Sequence, residues 1–154
     1  MSVPFVAPSW DERLQVLQTP DYVALHDEFG ELRLIPLNGS ESRPPLRQWT
    51  GFSRGRWEGD TLVIETAGFN DKWSFYGSGP GMRLVERLTR TGEQRLDYEF
   101  TVHDPESFAS PWTATFPFTS DPGPLYEVAC HEGNYSLPLI LSGARARDRA
   151  EQTR

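Results

Sequence analysis

The stretch Met82-Arg83-Leu84-Val85-Glu86-Arg87-Leu88-Thr89-Arg90, then Thr91-Gly92-Glu93-Gln94, then Arg95-Leu96-Asp97-Tyr98-Glu99-Phe100-Thr101-Val102-His103, decides the fold class. In an extended chain alternate side chains share a face. Met82, Leu84 and Leu88 therefore lie on one side of the first segment, and Leu96, Tyr98, Phe100 and Val102 on one side of the second. Arg83, Arg87, Asp97, Glu99 and His103 take the opposite side, as a solvated face requires. The two segments read as a long antiparallel hairpin whose turn contains Gly92. Glu86 falls on the apolar face, and a carboxylate there must be paired or hydrogen-bonded. It is either the structural partner of an inward Arg or Tyr, or an acid or base in a pocket.

Working outward, the same grammar repeats. Residues 22–27 and 32–37 flank Glu28-Phe29-Gly30-Glu31, where Gly30 takes positive φ at little cost. Residues 55–57 and 61–66 flank Glu58-Gly59-Asp60, and Thr61-Leu62-Val63-Ile64-Glu65-Thr66 is a β-branched run. Residues 112–118 and 125–130 are predicted as two more strands, separated by Ser120-Asp121-Pro122-Gly123. Thirteen Gly and thirteen Pro punctuate these runs, which leaves little room for helix. The expectation is one all-β domain over residues 1–154, with an N-terminal arm over 1–12. About eight mostly antiparallel strands form a meander curled into a lipocalin-like or calycin-like barrel, because closure removes exposed edges. The tail over 143–154 is predicted as a short helix or frayed end, with Pro138 blocking an earlier helix interior.

Parity places Leu62, Ile64 and Thr66 inside with Glu65 outside, and groups Trp112, Ala114, Phe116 and Phe118 on one face. Such rings fill a small barrel as core or line an apolar cavity. For Tyr22, Ala24 and His26 against Val23 and Leu25, the pattern does not choose a face.

Fifteen Lys and Arg against twenty-two Asp and Glu give a net charge of −7, and the basic residues outside the tail are scattered. No nucleic-acid partner and no membrane partner is expected. No stretch approaches the roughly 20 apolar residues of a membrane span, and the N-terminus lacks the basic and apolar regions of a leader, so the chain reads as soluble, cytoplasmic only as given, and its localisation stays open. The single cysteine, Cys130, forms no internal disulfide. There is no phosphate-binding glycine loop, nucleophile elbow or zinc helix. The three histidines, His26, His103 and His131, are far apart, so neither a metal nor a cofactor is expected.

Two local clusters are dense in chemistry. Gly68-Phe69-Asn70-Asp71-Lys72-Trp73 follows the β-branched run and is either a ligand-contacting loop or a turn capped by its own Asn and Asp. Cys130-His131-Glu132-Gly133-Asn134-Tyr135 offers an acid, a base and two hydrogen-bonding groups, or is a strand end turning through Gly133.

The string Gly55-Arg56-Trp57-Glu58-Gly59-Asp60-Thr61-Leu62-Val63, continuing through Glu65-Thr66 to Gly68-Phe69-Asn70-Asp71, resembles the hallmark of a large bacterial protein family with no established activity. Glu86-Arg87, Pro111-Trp112-Thr113 and Tyr126-Glu127 running into 130–135 are similar to its later motifs, so the resemblance spans residues 17–146. Many similar proteins carry a secretory leader and a histidine-containing segment where this chain has Ser74-Phe75-Tyr76-Gly77-Ser78-Gly79-Pro80-Gly81, without histidine.

The first functional expectation is a cofactor-independent enzyme holding a small, partly apolar molecule in a barrel cavity. Its acid–base chemistry would be elimination, isomerisation, cyclisation or hydrolysis, with Glu86, Asp71, His131 and Glu132 moving protons. Tyr22, His26, Asn70, Trp73, Tyr98, Trp112, Phe116, Asn134 and Tyr135 would bind the substrate. The second is a non-catalytic lipocalin-like carrier or sensor of a small molecule. The third is a structural or partner-binding β-domain; a homodimer is compatible with all of them. Two or more ionisable groups converging on one point of a cavity favour the first, an apolar cavity the second and a filled core the third.

Overall fold

The structure, a computed structural model, describes residues 13–37, 46–72, 74–129 and 131–152. Its elements are β1 (Leu14–Gln18), β2 (Tyr22–Asp27), β3 (Leu32–Pro36), β4 (Phe52–Glu58), β5 (Thr61–Ala67), β6 (Arg83–Gly92), β7 (Arg95–His103), β8 (Trp112–Thr119) and α1 (Ser136–Gln152). They form a three-stranded sheet, β1-β2-β3, and a five-stranded sheet, β4 to β8 in sequence order, with every neighbouring pair antiparallel.

The long hairpin has the register that alternation demands. Leu84 lies opposite Val102, Glu86 opposite Phe100 and Leu88 opposite Tyr98. All six are buried. The first hairpin turns at Gly30, φ 76°, and the second at Gly59, φ 60°, both in the left-handed region that glycine enters without penalty. Asp27 secures the first turn, accepting the Phe29 and Glu31 N–H groups at 3.0 Å each.

The two sheets share one core. Val23, Leu25 and Ile35 come from the smaller sheet and Leu62, Ile64, Leu84, Tyr98 and Phe100 from the larger, with Phe69 and Met82 between strands. A parallel bridge from Leu37 to Gly55 seams β3 to β4. Glycine suits this seam, because a Cβ on Gly55 would lie 2.8 Å from Leu37 Cδ2 and 3.0 Å from Ile35 Cγ2 and force those side chains to shift. Val63, on the opposite face of β5 from the core, is equally buried. It is flanked in register by Arg56 and Arg87, both bound to Glu58, and their aliphatic stems explain its cover.

Three sequence expectations change. Residues 125–129 form no strand; Val128 N–H donates to the Glu28 carbonyl at 2.6 Å, outside any ladder. The remaining strand is β1, whose Leu14-Gln15-Val16-Leu17-Gln18 has weak alternation and owes its extension to pairing with β2. The helix starts at Ser136, because Pro138 occupies its first turn, where no intrahelical donor is required.

Candidate functional site

At the centre of the shared core a polar cluster draws one side chain from each of β3, β4, β5, β6 and β7. Arg33 Nη1 donates to Glu86 Oε1 at 2.9 Å, and Arg33 Nη2 closes the second arm of the fork on Glu86 Oε2. Arg33 Nε donates to Ser53 Oγ at 2.9 Å and Nη2 to Thr66 Oγ1 at 2.6 Å, while Ser53 and Thr66 bond each other at 2.9 Å. The Tyr98 hydroxyl donates to Glu86 Oε1 at 2.8 Å. All five residues are buried, Glu86 completely. Burial opposes the charge of Arg33, yet the adjoining Glu86 carboxylate outweighs it and holds the guanidinium above its ordinary value. This is a bidentate, low-dielectric ion pair with its remaining bonding capacity engaged, and such a pair ties together the strands that supply it.

The other candidates are dispersed. Tyr22 and His26 alternate with buried Val23, Leu25 and Asp27, which puts them on the outer face of β2. Asn70 Oδ1 accepts the Lys72 N–H at 3.0 Å, an Asx turn, and Asp71 beside it is exposed. Trp73 lies outside the described residues. His131 and Glu132 sit on an exposed turn, and Asn134 Oδ1 accepts the Ser136 N–H at 3.0 Å at the entry to α1, with Tyr135 exposed beside it. Trp112 opens β8 within an aromatic cluster: Phe75 stacks on it at 6.0 Å, and Phe100, Phe108 and Tyr76 meet it edge-on at 5.5, 6.0 and 6.4 Å. Its indole N–H is buried without a hydrogen-bond partner among the described residues. Among the described residues no three His, Cys, Asp or Glu side chains group as metal ligands.

Of the described candidates, Phe116 alone borders a large opening. Between the edge strands β1 and β8 runs a cleft of about 1420 Å³. Its apolar lining comes from Leu14 and Val16 of β1, Leu62, Leu88 and Leu96 of the central strands, and Phe116 and Phe118 of β8. Its rim is charged, and much of that charge is already paired. Arg13 bonds Asp121 at 2.8 Å and approaches Glu28 at 4.0 Å, and Arg95 bonds Asp97 at 2.8 Å. The Asp121 carboxyl is held below its usual range by the Gly123 N–H and by Arg13.

Sequence reasoning placed Glu86 and Tyr98 on the inner face but assigned neither Arg33 nor Ser53. The signal for Arg33 was present, since it alternates with buried Ile35 in β3. No local signal pointed to the cleft, whose walls lie at opposite ends of the strand order.

No protein-family model matches the chain, and no curated protein or solved structure is significantly similar to it.

Proposed function

We propose that the protein is a non-catalytic binder of a small, elongated, partly apolar molecule, a carrier or sensor, with its ligand in the cleft between β1 and β8. The observation that carries this reading is the cleft itself. Its accessible apolar lining, Val16, Leu96, Phe116 and Phe118, faces a ligand entering between the edge strands β1 and β8. The cleft is about 1420 Å³ and partly open to solvent, a groove rather than an enclosed pocket. On this reading the two sheets act as one half-open, lipocalin-like barrel, seamed at Leu37 and Gly55 and parted at β1 and β8. We also infer kinship with the bacterial family whose motifs the chain resembles, which brings no reaction with it.

Acid–base catalysis is less well supported. It needs proton-moving groups around one point, yet Glu86 is engaged by Arg33 and Tyr98, and Asp71, His131 and Glu132 lie on exposed turns. None of the four lines the cleft.

Titration with Nile red, a neutral dye that brightens in apolar surroundings, tests the reading. We expect saturable binding to one site, lost in Val16→Glu and in Phe116→Glu, both at solvent-accessible cleft positions that tolerate a charge in the folded chain. Absence of saturation, or binding indifferent to both substitutions, would refute it.

A further inference from the structure

The cleft has one end where its chemistry changes. Gln18, Trp57, Asp60 and Arg90 line both the cleft and an adjoining depression of about 650 Å³, so the two openings are continuous there. Of the three arginines lining the cleft, Arg13 and Arg95 bond carboxylates. Arg90 does not. Its Nε donates to the Gly92 carbonyl at 3.2 Å and its Nη2 to the Glu93 carbonyl at 2.6 Å. Both acceptors are neutral, and they fix the plane of the guanidinium while leaving its charge without a carboxylate among the described residues. Beside it Trp57 is 45% exposed, an aromatic surface the core does not use.

An oriented guanidinium to which no carboxylate is bonded among the described residues, at the end of a cleft lined in part by apolar side chains, is a recognition element for an anion attached to an apolar chain. Asp60, on the turn that shares this end of the cleft, sets a limit on that anion. It repels a dianion about twice as strongly as a monoanion, so a phosphate dianion is penalised more than a singly charged head. Resting on the cleft as the ligand site, we propose that the ligand is a long-chain carboxylate. Its head pairs with Arg90 beside Trp57, and its tail runs along Leu96, Phe116 and Phe118.

The test compares 11-(dansylamino)undecanoic acid with its methyl ester, which have the same chain and differ in the charge of the head. The acid should bind about tenfold or more tightly than the ester, as a charge-assisted contact provides. Arg90→Gln should lower the affinity of the acid to that of the ester, because Arg90 is exposed and its removal disturbs no core contact. Equal binding of acid and ester by the unaltered protein would overturn the proposal, as would a preference that survives Arg90→Gln, while leaving the cleft in place as a binding site. Failure of both compounds to bind would overturn the cleft reading and the proposal together.

Discussion

At the start of β8, Trp112 lies within a cage of Phe75, Tyr76, Phe100 and Phe108; near its end, Phe116 and Phe118 border an open cleft. The closed end is also tied by buried Asp104, whose carboxylate accepts the Gly79 N–H at 2.7 Å and the Glu106 N–H at 3.2 Å. Burial works against the Asp104 charge, but these bonds and those from Ser107 hold its carboxyl below the usual range. The open end has no such cage, and Val16, Trp57 and Phe116 are substantially exposed there. Exposed apolar side chains in one cleft add little to folding, whereas the same residues facing a ligand are useful. The contrast is between a centre and one end held by buried polar and aromatic contacts and an end whose apolar side chains stay exposed.

The centre carries the largest expected effect. Glu86→Gln leaves Arg33 charged and buried without its counter-charge, and should destabilise the protein by about 3–5 kcal/mol in denaturant titration. Replacing both partners, Arg33→Met with Glu86→Leu, should cost much less, because no uncompensated charge remains. pH is the wrong lever here. A guanidinium with a raised pKa contributes fully below the ordinary arginine value and loses that contribution only as pH rises through its still higher folded value. A Glu86→Gln protein of unchanged midpoint would show that the cluster does not tie the ends together, and the contrast would fail.

How much of this was legible in the sequence follows from how far apart the participants are. Period-two alternation is local, so the faces of residues 82–103 and the inward position of Glu86 were readable from a few neighbours. The need for a buried partner was readable too, but its identity was not, because Arg33 lies in another sheet and meets Glu86 only once both sheets pack. Strand β1 escaped notice because its alternation is weak and β2 supplies its reason to be extended. The cleft escaped for the same cause: it is a gap between the first and last strands, and no local pattern encodes a gap.

Glycines of the second hairpin and its seam give the next effect. Gly55→Ala would press a methyl into Leu37 and Ile35 at the join between sheets, costing about 1–3 kcal/mol. Gly59→Ala meets open space and pays only for left-handed backbone, about 1 kcal/mol. Asn, which tolerates that conformation, should recover part of the loss at position 59 and none at 55. Equal losses from the two alanine variants, or rescue by Asn at both positions, would remove the seam from the account.

The smallest effect, that of Val16→Thr, belongs to the sharpest comparison, because one chemical change can be placed at both ends. Val→Thr keeps shape and exchanges a methyl for a hydroxyl. At the closed end Val102 is fully buried and lies in register between Leu84 and Trp112, so its hydroxyl would be desolvated beside apolar neighbours. That should cost about 1–3 kcal/mol. At the open end Val16 is 45% exposed on edge strand β1, where the hydroxyl keeps its water. Val16→Thr should therefore change stability by no more than about 0.5 kcal/mol. The same substitution should still weaken Nile red binding, since it makes the cleft wall more polar, whereas Val102→Thr should leave dye affinity unchanged in the folded protein. Stability and binding thus respond in opposite places to an identical change. Comparable stability losses at both positions would mean that the open end is as tightly packed as the closed one, and that the cleft is not held open for a ligand.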